Sequence, residues 1–313
     1  MTLALTFPGQ GSQAIGMGKA LADTYPVAQA VFDEVDDALG EKLSQKIWEG
    51  SPDELTLTQN TQPALMAVSV AASRVLEEEG LSFADNVSYV AGHSLGEYSA
   101  LAAAGALTVS DAARLLRTRG KAMQEAVPVG EGAMAAILGL SFDEAKEAAE
   151  LAAQGSVCQV ANDNAAAQIV LSGHKAAVER AMDIAKSKGA KRALPLPVSA
   201  PFHCQLMEPA AEVMAEALAT ITISEPVVPV VANVVASPVT DPTEIRKNLV
   251  RQIPGTVRWR ESMEWMLENG ITNQIEVGAG KVLTGIFKRM DKGVMATAFG
   301  EPGDLENAKA LWS

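Results

Sequence analysis

Apolar positions fall along this chain in two rhythms, short continuous runs and stripes at three- and four-residue spacing. The run "TLALTF" (2–7), ended by Pro8 and a glycine-rich turn, predicts a buried strand. Helical stripes follow from about 17 to 80. "VSYVAG" (87–92) predicts the next strand, and the alanine-rich "LGEYSALAAAG" straight after it predicts a helix. A second helix, "SDAARLLRTRGKAMQEAV", has Ser110 as its expected N-cap and stops before Pro128.

From about 130 to 196 the order becomes strand, helix, strand, strand, helix, strand, carried by "AMAAILGL", "FDEAKEAAELAAQG", "VCQVAN", "AQIVLSG", "KAAVERAMDIAKSKG" and "AKRALPLP". This βαββαβ order is the ferredoxin-like split unit. The larger pattern resumes with a helix at about 206–220, a strand "VVPVVANV" (227–234), further helices, a strand "NQIEVG" (273–278) and a helix "VLTGIFKRM" (282–290). Strands alternating with helices on both sides of an insertion imply a mostly parallel sheet. The expected fold is therefore α/β: an α/β-hydrolase-like domain over 1–128 and 197–313, with an inserted ferredoxin-like subdomain over 129–196.

Composition narrows the function classes. In 313 residues, 48% are hydrophobic and 4% aromatic, which suits tightly packed helices on a sheet. The net charge of -13, from 25 basic against 38 acidic residues, argues against a nucleic-acid binder, because phosphate backbones demand a basic face. "MTLALTFPGQ" lacks the basic start and the apolar length of a signal peptide or membrane span, so a cytoplasmic protein is expected. Cys158 and Cys204 form neither a disulfide framework nor metal-site spacing and read as reduced thiols.

Gly92-His93-Ser94-Leu95-Gly96 matches G-x-S-x-G, the strand-to-helix elbow that lifts a serine hydroxyl above a sheet. The bare pattern is weak, but a predicted strand before it and helix after it are the context that gives it meaning. The main-chain N–H of Leu95 would then face a developing oxyanion. A second donor is expected from "FPGQGSQ" (7–13), whose competing reading is a structural turn; its spacing is neither a Walker A loop nor G-x-G-x-x-G, which rejects nucleotide binding. Of three histidines, His93 lies inside the elbow and points away from Ser94, and His174 in "SGHK" reads as a surface turn. His203 in "SAPFHC" is the base by elimination. No acid between Ser94 and His203 stands out, so either an acid from elsewhere or a neutral group such as a main-chain carbonyl orients the imidazole.

Arg119 is the most informative residue. Ala112, Leu115, Leu116 and Met123 define the apolar face of its helix, Arg114, Arg117 and Lys121 lie opposite, and Arg119 falls within the apolar stripe. A buried arginine keeps its charge and requires an anion. That anion is either an internal Asp or Glu, or a substrate carboxylate held bidentately. In the second case the pocket selects a dicarboxylic acyl group.

"FPGQGSQ", "TQPAL", "GHSLGEYSAL", "RGKAMQEAVP", "GAMAAILG", "ALPLPVSAPFH" and "EVGAGKVLTGIFKR" together, in this order over essentially the whole chain, resemble the malonyl-CoA:acyl-carrier-protein transacylase family of bacterial type II fatty acid synthesis. The resemblance implies ping-pong transfer of malonyl from coenzyme A to Ser94 and then to the phosphopantetheine thiol of acyl carrier protein, with no cofactor or metal. It makes Ser94 the nucleophile, His203 the base, Arg119 the holder of the malonyl carboxylate, and the main-chain N–H groups of Gln10 and Leu95 the oxyanion hole. It also assigns the orienting carbonyl to Gln252 in "VRQIPG". Met123 and Phe202 join Arg119 in the expected substrate pocket, and Phe202 and Leu95 look like variants favouring unbranched malonyl. Two departures from that family's pattern, Asp163 in "NDN" and Pro254-Gly255-Thr256, leave the catalytic set untouched, and the sequence leaves their effect on the pocket wall open. The carrier in such systems is acidic, so docking needs a local basic patch, for which Lys186, Lys188, Lys191, Arg192, Lys288 and Arg289 are the candidates. The alternatives are a serine esterase or thioesterase, for which a buried cation has no use, a non-enzymatic scaffold, or an acyltransferase serving a polyketide or malonate-decarboxylase carrier.

Overall fold

In β1 (Leu3–Phe7) every position is buried, as a strand covered on both faces requires. The computed structural model describes residues 2–198 and 200–312. β1 pairs in parallel with β2 (Val87–Gly92) on one side and with β9 (Asn273–Val277) on the other. β10 (Met295–Phe299) adds in parallel to β9, and the short β7 (Val230–Ala232) adds in parallel to β2. β8 (Ser237–Val239) closes the edge antiparallel to β7, so the six-stranded sheet is mostly parallel.

β3 (Gly132–Leu138), β4 (Cys158–Ala165), β5 (Gln168–His174) and β6 (Arg192–Pro195) form a separate antiparallel sheet in the order β4-β5-β3-β6. Its helices, Phe142–Ala153 and Lys175–Ser187, bury an alanine-rich face against it and enclose a second core of their own. One parallel bridge between Asn162 and Val257 ties this sheet to the larger body.

Three details differ from the sequence expectation. The helix carrying Arg119 runs Val109–Glu125 and its N-cap is Thr108, not Ser110. Thr108 Oγ1 accepts the Asp111 N–H at 3.0 Å, while Ser110 turns to Glu34 instead. The expected strand at 227–234 shrinks to Val230–Ala232, because Pro229 cannot extend the ladder and the chain turns after Ala232. β8 and β10 were not expected; both are edge strands, whose burial pattern is only intermediate over most of their length.

The long helix Thr58–Glu78 is buried along most of its length and packs directly on Val109–Glu125. Their approach is set by Gly120, where an added Cβ would meet Gln59 Cα and Thr58 O, each at 2.6 Å. Both obstacles are main chain and cannot rotate away. Gly120→Ala is therefore expected to destabilise the fold by about 1–3 kcal/mol, seen as a lower denaturant midpoint at unchanged slope. An unmoved midpoint would mean the helices part without cost.

Candidate active site

The elbow has a steric reason for each glycine. A Cβ on Gly92 would overlap the Gly96 carbonyl, and one on Gly96 would strike the main-chain oxygens of Phe7 and Pro8. Between them Ser94 takes a positive φ of 54°, a conformation that costs of order 1–3 kcal/mol in a residue with a side chain. The turn is held by Asn233, whose Oδ1 accepts the Ser94 N–H at 2.8 Å and whose Nδ2 donates to Gly92 O at 2.7 Å. The helix Gly96–Ala103 then leaves directly from the turn.

His203, also at positive φ (56°), brings Nε2 to 2.7 Å from Ser94 Oγ. Its Nδ1 lies 2.9 Å from the main-chain oxygen of Gln252, the last residue of the helix Pro242–Gln252. A carbonyl only accepts, so Nδ1 carries the ring proton and Nε2 presents a bare lone pair to the serine hydroxyl. Burial, and after it the charge of Arg119, pushes the His203 pKa down to about 3. The imidazole is therefore neutral at physiological pH and ready to accept a proton.

Arg119 is only 1% exposed. Nη1 donates to Gln62 Oε1 at 2.8 Å, and Nη2 donates to Gln252 Oε1 at 2.8 Å and to Ser94 Oγ at 3.1 Å. Among the described residues these partners are all neutral, and the ring of Tyr98 lies 5.7 Å away. The internal carboxylate partner considered from sequence is not paired with it directly. Arg119, Ser94 and His203 line one cavity of about 500 Å³, whose wall also includes Gln10, Leu95 and Asn162. Met123, Met134, Leu196 and Phe202 give it apolar surface. Neither the Gln10 nor the Leu95 main-chain N–H meets a protein acceptor among the described residues. The arrangement thus offers a hydroxyl, a neutral base, two free N–H groups and a buried cation around one space, the parts that acyl transfer requires.

Several participants escaped the sequence reading. Gln62 lies in "TQPAL", and Glu97 is in the first turn after the serine, but nothing local marks either as a site residue. Asn233 falls near the end of the expected strand 227–234, and in the structure it lies in the turn just after β7. His93 is held by Asn164 Oδ1 at 2.8 Å from Nε2 and packs on Trp259, which keeps it from Ser94. His174 is not a surface turn: it ends β5, and its Nδ1 accepts the Val157 N–H at 2.9 Å. Neither departure lines the cavity around Ser94. Asp163 is fully buried with its carboxylate on Arg260 at 2.8 Å, and Thr256 lines a different cavity of about 460 Å³.

Fold and site together define a serine–histidine acyl-transfer protein. A family model for the acyl transferase domain matches residues 5–298, and the chain belongs to that family. It is 47% identical over 307 residues to the malonyl CoA-acyl carrier protein transacylase of Bacillus subtilis (strain 168), covering 98% of this chain and 96% of that protein. The crystal structure of an acyl-carrier-protein-S-malonyltransferase from Bartonella henselae superposes with a TM-score of 0.97 at 54% identity, covering 99% of each chain. A malonyl-transacylase solved in complex with its type II PKS acyl-carrier protein superposes with a TM-score of 0.95 at 45% identity, covering 98% of this chain and 99% of that one.

A base whose pKa sits near 3 does not titrate between pH 5 and 8. Inactivation of Ser94 by an uncharged phosphonofluoridate is expected to keep its rate within about threefold from pH 8 to 5. A tenfold fall per pH unit below 6.5 would show an ordinary, solvated imidazole instead.

Proposed function

We propose that this chain transfers the malonyl group of malonyl-CoA to the phosphopantetheine thiol of an acyl carrier protein in fatty acid biosynthesis, through a malonyl ester on Ser94. His203 takes the Ser94 proton at Nε2 as the hydroxyl attacks the thioester carbonyl. The main-chain N–H groups of Gln10 and Leu95 hold the oxyanion, and Gln252 O keeps the imidazole aimed. The proton then passes to the departing coenzyme A sulfur, and the carrier thiol repeats the sequence in reverse. No cofactor is required beyond the two thioester partners.

The observation that carries this reading is the Arg119 guanidinium, buried within 3.1 Å of Ser94 Oγ and paired only with neutral groups among the described residues. A malonyl carboxylate supplies the directly paired anion that Arg119 lacks, in a buried pocket where a charge-assisted bidentate pair is strongest. Met123 and Phe202 border the acyl chain. Thioester-to-thioester exchange is nearly balanced in energy, so the protein's task is to shield the acyl-serine from water until the second thiol arrives. The 129–196 unit serves as the small domain that roofs this cleft, set on the 1–128 and 197–313 body. The whole works in the cytoplasm; among the described residues no helix is long and apolar enough to cross a membrane.

For carrier docking, the basic candidates divide. Lys186 is paired with Asp183 and Lys188 with Glu147. Lys191, Arg192, Lys288 and Arg289 have exposed side chains and no carboxylate partner among the described residues, so they carry most of the attraction for an acidic carrier.

Intact-protein mass spectrometry after incubation with malonyl-CoA tests the reading. The parent is expected to gain one malonyl mass and Ser94→Ala none; a malonyl adduct surviving in the variant removes Ser94 as nucleophile. Arg119→Ala is expected to lower the preference for malonyl over acetyl by roughly 10- to 100-fold, the worth of hydrogen bonds to a charged group. Unchanged selectivity would take the clamp away.

A further inference from the structure

Glu97 is a buried carboxylate that the chemistry above leaves without a task. It lies in the first turn of Gly96–Ala103 and is 2% exposed. One of its oxygens, Oε2, accepts two hydrogen bonds, from the Asn233 main-chain N–H and from Gln252 Nε2, each at 2.9 Å. Those two residues are the ones that hold the reacting groups. Asn233 Oδ1 fixes the Ser94 N–H, and Gln252 Nε2 also reaches Ser94 O at 3.0 Å. Gln252 Oε1 receives Arg119, and Gln252 O receives His203. Gln252 alone therefore separates the Glu97 carboxylate from the clamp and the base, and Gln252 and Asn233 together link it to the turn of the nucleophile.

We propose that Glu97 is a positioning residue whose charge is matched to Arg119: ionised, it balances the guanidinium before acylation, and it takes up a proton when a malonyl carboxylate pairs with Arg119. This rests on the malonyl reading above. Two carboxylates cannot both stay ionised against one guanidinium in a dry pocket without mutual repulsion. The substrate carboxylate contacts the cation directly, whereas Glu97 acts through Gln252, so Glu97 is the group that neutralises. Oε2 is occupied by two donors, which leaves Oε1 to carry the proton.

The surrounding groups agree. Burial raises the Glu97 pKa to about 7, opposed by the Asn233 N–H, Gln252 and the charge of Arg119. The other titratable groups facing this cluster are neutral near pH 7: burial pushes the Tyr98 hydroxyl up, and burial pushes His203 and His93 down. Arg119 is thus the charge to which Glu97 responds. Cancelling its field with a substrate anion moves the Glu97 pKa further up. By linkage, malonyl is held best where Glu97 is already protonated, and its advantage declines as pH rises from about 7 toward the acylated-state pKa.

Acylation itself is proton-neutral, since the Oγ–C bond forms, the C–S bond breaks and the hydroxyl proton leaves on the coenzyme A sulfur. Net proton uptake on mixing the parent protein with malonyl-CoA in weak buffer at pH 7.5–8, compared with acetyl-CoA, reads Glu97 without any variant. A clear fraction of a proton per malonyl-enzyme, and none per acetyl-enzyme, is expected. In competition, the parent's malonyl-over-acetyl preference is expected to be level below pH 7 and to fall about three- to tenfold by pH 8.5. Glu97→Gln keeps an acceptor oxygen for both donors but no titratable charge, and its preference is expected to be flat. Equal uptake with both thioesters, or the same pH slope in Glu97→Gln, overturns the proposal while malonyl loading of the parent stands. Failure of the parent to load malonyl at any pH overturns the functional reading and this inference with it.

Discussion

A guanidinium keeps its charge however deeply it is buried, and around Arg119 that single constraint organises the site. Its hydrogen bonds to Gln62, Gln252 and Ser94 satisfy donors without cancelling charge. The residual field then acts on everything nearby. It helps hold His203 unprotonated, so the base is free when a hydroxyl needs it. It also explains the choice of a carbonyl to orient the imidazole. A carboxylate in the place of Gln252 O would bring an anion into the same cluster as Arg119 and, on the malonyl reading, compete with the substrate for it.

The fold supplies the neutral orienting group from a helix end. Gln252 closes Pro242–Gln252, and the last carbonyls of a helix have no partner within it. Spending that free oxygen on His203 Nδ1 satisfies it, and the negative end of the helix dipole favours the imidazolium that forms during transfer. The carboxyl ends of parallel strands do the rest. β1 opens into the loop holding Gln10, β2 into the elbow, and β7 into Asn233, so neighbouring strands of one sheet deliver an N–H, the hydroxyl and the brace that holds it.

What was legible in the sequence was local. The run 87–92 and the glycines at 92 and 96 state the elbow by themselves, because strand period, turn sterics and helix start lie within a dozen residues. Arg119 was legible as a charge in an apolar stripe, and the βαββαβ unit as an order of periods. Gln62, Asn233, Glu97 and the side chain of Gln252 were not, since each works through a partner distant in the chain: the Ser94–Asn233 bond spans 139 residues. A buried amide in a helix or at a strand end looks in sequence like any other polar residue. The same limit produced the misplaced cap. Thr108 and Ser110 both carry cap-type hydroxyls, and the Ser110 hydroxyl is engaged by Glu34, 76 residues away, a contact the local pattern does not reveal.

The two sheets contribute different parts of the cavity lining. Ser94, Arg119, Gln252 and Gln62 all come from the body built on the parallel sheet, locked by short hydrogen bonds to one another. Asn162, Met134 and Leu196 come from the antiparallel sheet and its exit, and they form the opposite wall of the cavity. The seam between the two is held at Asn162–Val257 and at the pair of buried Asp163 with half-buried Arg260, on adjacent residues of β4. Ser94 and Arg119 lie together on one side of that seam, so the 3.1 Å contact between hydroxyl and guanidinium is set by the parallel-sheet body alone.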